Sequence, residues 1–211
     1  MNFKDILVAS KEGTLEDVKY LVEKELVDIN IIEKGCKNTP LIYAVGWNKE
    51  NSEPITDYLV SRGADVNAKN CTGLTPLHSA MSRKSFAVIQ CLVSNGADVN
   101  AIITDNEYKG ETPIFKAAIF NQDIEVFKLL ISKGANVNVR SEGKVYKGLT
   151  LLHKIASDSK YCNADACEII KLLISNGADV NAKTVGLFAK SVMQLANTDA
   201  KKKILQEAGA I

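Results

Sequence analysis

The side chains that could carry chemistry are few, and their spacing decides what they can do. The 211 residues include two histidines, His78 and His153, placed 75 residues apart. A general base needs a nucleophile within reach and a third group to orient it. Neither histidine has such a set nearby in the sequence, so no catalytic residues are assigned and the chain is read as a non-enzyme. Five cysteines, Cys36, Cys71, Cys91, Cys162 and Cys167, form no paired Cys-x-x-Cys pattern. Their odd number and irregular spacing fit reduced thiols rather than a disulfide framework. Cys162 and Cys167 are awkwardly spaced for one helix face, with His153 the nearest histidine and no fourth ligand, so no metal is expected. No Gly-x-Gly-x-x-Gly or Gly-x-x-x-x-Gly-Lys loop cradles a phosphate, and no cofactor is expected.

Three carboxylates recur at one position: Asp65, Asp98 and Asp179. A ladder of carboxylates could attract cations, but aspartate at a turn usually accepts from local backbone N–H groups, and that reading is preferred. The run Lys201-Lys202-Lys203 reads as a solvated helix face. With 26 basic and 25 acidic side chains the net charge is +1, which gives no global reason to seek nucleic acid. No apolar run reaches the roughly 18 residues of a membrane span. The opening residues, Met1-Asn2-Phe3-Lys4-Asp5, lack the apolar stretch of a secretory leader, so a cytoplasmic place is expected.

These residues recur because the chain repeats itself. Gly63-Ala64-Asp65-Val66-Asn67 returns at Gly96, at Gly134 (with Asn136 for Asp) and at Gly177, with Gly209-Ala210-Ile211 as a truncated copy. The steps between these glycines are 33, 38, 43 and 32 residues. A second marker precedes each: Thr39-Pro40-Leu41, Thr75-Pro76-Leu77-His78, Thr112-Pro113-Ile114 and Thr150-Leu151-Leu152-His153, with Ser191 in that place at the end. Thr before Pro is a helix start, because the hydroxyl can cap free N–H groups and Pro needs no donor. Apolar residues at helical period follow, then a break, then a second amphipathic run closed by Gly. Each unit is thus helix, turn, helix and extended hairpin, and neither helix can bury its apolar face alone.

Thr-Pro-Leu-His followed 21 residues after its Thr by Gly-Ala-Asp-Val-Asn resembles the ankyrin repeat, over nearly the whole chain from about Phe3 to Ile211. The resemblance implies an all-α fold: an ankyrin-repeat solenoid of stacked helix-turn-helix pairs with β-hairpin loops. Residues 1–211 are read as a single domain of units at about 1–34, 35–69, 70–105, 106–143, 144–185 and 186–211, the first and last as caps. It also implies that His78 and His153 are structural hydrogen-bonding residues near helix starts. With one unit between them, helices packed about 8–10 Å apart keep the two imidazoles from sharing a ligand.

Departures from the repeat fall at two kinds of place. The Thr-to-Gly distance grows to 24 after Thr39, 22 after Thr112 and 27 after Thr150. Extra residues at Asn48–Glu53 and Ser157–Asn163 lie where the two helices join, with Pro54 opening a second helix and Ser52 a cap nearby. The Asn-to-Thr distance grows from 8 to 12 before Thr112 and Thr150, so two successive hairpins are longer. Insertions in repeat proteins often map to the binding face. Cys36 and Cys71 fall near equivalent hairpin positions, but the expected stacking distance exceeds the about 7 Å that a disulfide allows, so a bond would need distortion.

The resemblance further implies a partner protein or peptide, bound by hairpin fingers and the first helices lining a concave palm. Counting from each Thr marker puts Trp47, Arg83 and Phe120 at the exposed end of the first helix. Tyr108, Lys109, Tyr146 and Lys147 fall on the hairpins, and Tyr43, Lys116 and Lys154 toward the palm. Trp, Tyr and Arg most often dominate interface energetics. The expected partner is an extended peptide or helix with acidic and apolar side chains; the chain itself is expected to be a monomer. Two placements stay open for Trp47 and Phe120, partner contact or core under the loops. The tyrosines could likewise pack on each other. Other classes are an enzyme subunit with its site at Ser157–Cys167, a nucleic-acid binder using the lysine-bearing fingers, and a microbial effector acting on host proteins in the host cytosol, the last prompted by Asn-, Lys- and Ile-rich usage.

Overall fold

The computed structural model describes residues 5–83, 85–120, 123–158, 164–186 and 189–211. Phe3, Cys162 and most of the Ser157–Asn163 join lie outside the described residues. The chain divides into two compact units, Met1–Ala101 and Ile102–Ile211. The N-terminal unit holds α1 (Ile6–Glu12), α2 (Leu15–Glu23), α3 (Pro40–Gly46), α4 (Ser52–Ser61), α5 (Pro76–Arg83) and α6 (Phe86–Ser94). The C-terminal unit holds α7 (Pro113–Phe120), α8 (Ile124–Ser132), α9 (Leu151–Ser157), α10 (Ala164–Ser175), α11 (Val192–Leu195) and α12 (Asp199–Glu207).

Helix starts follow the capping chemistry. The Thr39 hydroxyl accepts from the Ile42 N–H and Pro40 opens α3. Thr14 with Asp17, Thr150 with His153 and Ser191 with Gln194 close reciprocal capping boxes. The start of α4 differs from the sequence expectation. Ser52 is already helical, the cap position belongs to Asn51, and Pro54 sits in the first turn, where its missing N–H costs nothing. The reason is tertiary. The Asn48 side chain is buried and donates to the Ser10 and Gly13 carbonyls at 3.2 and 3.0 Å, which ties the join to the end of α1. Its Oδ1 in turn accepts from the Asn51 N–H at 2.8 Å.

Within each unit, like helices stack on like. In the N-terminal unit α3 packs between α1 and α5, and α4 against α2 and α6. In the C-terminal unit α9 packs against α7 and α11, and α10 against α8 and α12. The seams are dry: Leu41, Ile42, Ile55, Leu59, Leu77 and Ile89 in one, Phe115, Phe127, Leu130, Ile155, Ile169 and Leu173 in the other, are fully buried. Each such side chain contributes about 1.5–3 kcal/mol by leaving water.

The hairpins carry a second, polar seam. Asp65 Oδ1 accepts from the Asn67 N–H at 2.8 Å, and Asp98 and Asp179 repeat this turn with Asn100 and Asn181. Each carboxylate therefore shapes its own turn. The asparagine then reaches the next repeat. Asn67 Nδ2 donates to the Gly96 carbonyl at 3.0 Å while its Oδ1 accepts from the Asp98 N–H at 2.7 Å. Asn30 and Asn138 make the same two-way bridge to Gly63 and Asp65 and to Gly177 and Asp179. The glycine is required there: Gly96 has φ +85° and Gly177 φ +84°, in the left-handed region that ends a helix.

Hairpin pairing among the described residues is limited to isolated bridges, Arg140 with Thr150 and Lys183 with Ser191, because these segments turn too soon for ladders to extend. The two longer fingers, 101–111 and 139–149, join each other directly. Glu142 and Gly143 N–H groups donate to the Lys109 carbonyl at 2.8 and 2.9 Å, and Lys144 N–H to the Asn106 carbonyl at 3.2 Å.

Candidate partner-binding surface

The fold distributes the ten residues singled out above over two separate units. Tyr43, Trp47 and Arg83 lie in the N-terminal one. Trp47 stands at the end of α3 with 42% of its surface exposed, and Tyr43, one turn earlier, meets it edge-on at 5.4 Å between ring centres. The Tyr43 hydroxyl donates to Glu33 Oε1 at 2.6 Å. Its pKa is raised, first by burial and then by that carboxylate, so it stays a neutral donor. Arg83 is half-buried. Its guanidinium donates from Nε at 2.6 Å, and also from Nη2, to the Gly46 carbonyl. It thus satisfies the open end of α3. Trp47 lines a shallow cleft with Lys11, Glu12 and Asn48–Asn51.

The other seven belong to the C-terminal unit, where five of them form one cluster with two carboxylates. Lys116 on α7 is buried, its ammonium 3.1 Å from Glu111 Oε2, and Glu111 is fully buried. The Tyr108 ring covers that ammonium at 4.0 Å, and the Phe120 ring lies 5.6 Å from it. Lys154 on α9 repeats the arrangement: its ammonium is 2.5 Å from Asp158 Oδ2 and 5.5 Å from the Tyr146 ring. Tyr146 also packs on Phe115 of α7 at 6.0 Å, so the fingers close over the seam between the two helices. Burial raises the Glu111 pKa; Lys116, and less strongly Lys154, pull it back down. Two ammonium groups thus face two carboxylates, and the cluster is neutral.

This geometry decides what the cluster can do. Its lysines are not free cations waiting for an acidic partner; they are matched internally and sit beneath aromatic rings. Desolvated cation–π contacts of this kind are worth up to about 2 kcal/mol and hold the rings in place. What the cluster itself turns outward is aromatic, with Phe120 43% exposed. Neither Phe120 nor Trp47 is core, and neither tyrosine packs on the other: Tyr108 lies over Lys116, Tyr146 against Phe115. Lys109 and Lys147 remain on the outer side of the fingers, Lys109 paired with Glu142 at 3.1 Å. Glu111 escaped the sequence reading. Its signal was a charge directly before a Thr marker, where the other units carry Asn38, Leu74 and Leu149.

The remaining candidate groups are structural. His78 and His153, at the fourth position of the marker, each set Nδ1 against the Thr hydroxyl three residues earlier, at 2.9 and 2.7 Å, and His153 Nε2 lies 3.2 Å from the Lys190 carbonyl. Burial lowers the His153 pKa, which keeps the ring neutral with its proton toward that carbonyl. No group of three or more potential metal ligands occurs among the described residues. Nor, among them, is any helix long and apolar enough to cross a membrane.

The lysine run corrects one expectation. Lys202 and Lys203 are exposed, but Lys201 is fully buried. Its ammonium lies 3.0, 3.3 and 3.2 Å from the Ile155, Ala156 and Asp158 carbonyls and 2.9 Å from Asn197 Oδ1. It therefore closes the carboxyl end of α9, where the helix dipole favours a cation, and fixes Asp158 beside Lys154.

Known proteins share this architecture. The profile of ankyrin repeats in three copies matches residues 6–103 and 101–184. An ankyrin repeat protein of fowlpox virus is 38% identical over 122 residues, covering 57% of this chain and 33% of its own length. One of Rickettsia felis is 31% identical over 115 residues, covering 54% and 47%. The chain thus spans a third to a half of these curated relatives. Among solved structures, the ankyrin repeat protein EF0377 aligns over 96% of both chains with a TM-score of 0.77 at 25% identity. A chain from the complex of the predatory endopeptidase Bd0816 of Bdellovibrio bacteriovorus with immunity protein Bd3460 aligns over 98% of this chain and 99% of its own, with a TM-score of 0.75 at 26% identity. The stacked helix pairs among the described residues, the Thr-capped starts, the asparagine bridges and these matches agree: the chain belongs to the ankyrin repeat family.

Proposed function

We propose that this chain is a non-enzymatic binding scaffold that takes a partner protein or peptide on its hairpin fingers and first helices. Ankyrin repeats are generally protein–protein interaction modules, and a chain of this fold occurs in the complex of an endopeptidase with an immunity protein. The observation that carries the reading is the neutral aromatic cluster of the C-terminal unit. Phe120, Tyr108 and Tyr146 are held over buried Lys116 and Lys154, so they present apolar surface already ordered before a partner arrives. Ordering aromatics in advance lowers the entropy cost of binding. The acidic half of the expected partner loses its support, because Glu111 and Asp158 already match those lysines; the partner is apolar at this contact.

The test is affinity capture from the native cell, followed by binding measurements with the purified partner. Phe120→Ala should weaken binding at least about tenfold, as loss of a central aromatic does, with circular dichroism unchanged. Unchanged affinity would refute the assignment. Affinity that falls steeply with salt would instead favour phosphate contacts and a nucleic acid.

A further inference from the structure

Cys36 and Cys71 stand in consecutive hairpins of the N-terminal unit, and the structure places them closer than stacked helices would. The Cys71 N–H donates to the Cys36 carbonyl at 2.8 Å. With standard backbone dimensions, that bond holds the two Cα atoms within about 6.7 Å, inside the range a disulfide spans. The spacing between helices, which argued against a bond, does not govern here; the hairpins approach one another through their own backbone hydrogen bond. Both residues are exposed free thiols. Neither sits on a loose tip. Cys36 lies between left-handed Gly35 (φ +101°) and Lys37 (φ +59°). Cys71 is inside a turn whose Thr72 and Leu74 N–H groups both donate to Asn70 Oδ1 at 3.0 Å.

We propose that Cys36 and Cys71 are a redox pair that closes reversibly to a disulfide between adjacent hairpins. The Cys36 thiol is pushed up, chiefly by Cys71 and then by Glu33, so it keeps its proton longer than an ordinary cysteine and is assigned the second, resolving step. The co-reactant is a low-molecular-weight disulfide. The Cys71 thiolate attacks one of its sulfurs and releases one small thiolate, leaving a mixed disulfide. Cys36 gives its proton to solvent and attacks the Cys71 sulfur, releasing the second small thiolate. Two electrons pass from the protein to the small disulfide, and the two thiol protons go to solvent. The link lies beside Glu33 and Tyr43, so it bears on the side of the unit where Tyr43 holds Trp47.

The test uses the full chain incubated with oxidised glutathione, quenched by alkylation and mapped by mass spectrometry. A peptide linking Cys36 to Cys71, lost on reduction, is expected. Cys91 serves as an internal control: burial pushes its thiol up to about 12, so it resists the small disulfide and is alkylated only when the quench unfolds the chain. In the Cys36→Ser variant the glutathione adduct on Cys71 cannot be resolved, so it should exceed the wild-type Cys71 adduct about tenfold, given an effective concentration at least in the millimolar range. Recovery of Cys36 and Cys71 as separate alkylated or glutathionylated peptides, with no link between them, overturns the proposal. So does a wild-type Cys71 adduct as abundant as that of the variant.

Discussion

Replacing Lys201 with methionine keeps most of the side-chain volume and removes the ammonium. Three main-chain carbonyls, of Ile155, Ala156 and Asp158, and Asn197 Oδ1 then lose a donor at 2.9–3.3 Å. An orphaned buried acceptor costs about 1–3 kcal/mol. The sum is reduced on three counts. No carboxylate is stranded, because the partners are carbonyls rather than an acid, and the methionine no longer carries a charge that had to leave water. Water can also reach the Asp158 end, where the side chain is 14% exposed. The expected net loss is about 3 kcal/mol. With a denaturant slope of about 2–3 kcal/mol/M, the urea midpoint followed by far-ultraviolet circular dichroism drops by about 1 M. Lys202→Met, at an exposed site in the same run, is the control and should change it little. A Lys201→Met midpoint within about 0.2 M of that control would refute the claim that this ammonium closes α9. Hydrogen exchange gives the local reading: Lys154 and its neighbours at the end of α9 should lose protection before α8 does.

Three further predictions concern the cluster and its frame. Lys116→Met takes the nearest cation from buried Glu111 and should cost about 3–5 kcal/mol, while adding Glu111→Leu should return most of it; a double variant as unstable as the single one contradicts the pairing, read by urea unfolding. Gly143→Ala places a Cβ 2.2 Å from the Glu107 carbonyl oxygen, so the two long fingers must part, and the Glu142 and Gly143 amides should exchange far faster than in the parent chain. Burial lowers the His153 pKa below 6.5, so the unfolded chain binds that proton first and stability is lost as pH falls through the unfolded value toward the folded one. Glu111, raised from 4.5, works in the opposite direction. Urea midpoints of the parent and His153→Gln compared between about pH 7.5 and 5.5 isolate the histidine, and the variant should show the shallower fall with acid.

The repeat was legible because its signals are local. A Thr hydroxyl caps the helix it precedes, as Thr39 and Thr150 do, and Gly96 and Gly177 end helices because left-handed backbone disfavours a side chain. Asp65 and Asn67 bond within their own turn, so that role was readable from five residues. Trp47, Phe120, Tyr108 and Tyr146 could be located by counting from the markers, which assigns a position without assigning a neighbour.

Where neighbours decide, the linear chain was silent. Lys201 and Lys202 are the same residue type side by side, yet one is sealed against the end of α9 and the other faces water, because a helix turns about 100° per residue and only packing says which face is covered. Lys116 and Glu111 are close in sequence, but their pairing under Tyr108 depends on the finger folding back over α7. Cys36 and Cys71 came within disulfide reach through a backbone bond between hairpins that no periodicity announces. Amino-acid order alone determined the helices, their repetition and most of their caps, since those depend on torsions and bonds a few residues long; the start of α4 is the exception, set by the Asn48 contacts with α1. Packing alone decided which charges are buried and matched, since desolvation and pairing are properties of surroundings assembled from distant segments.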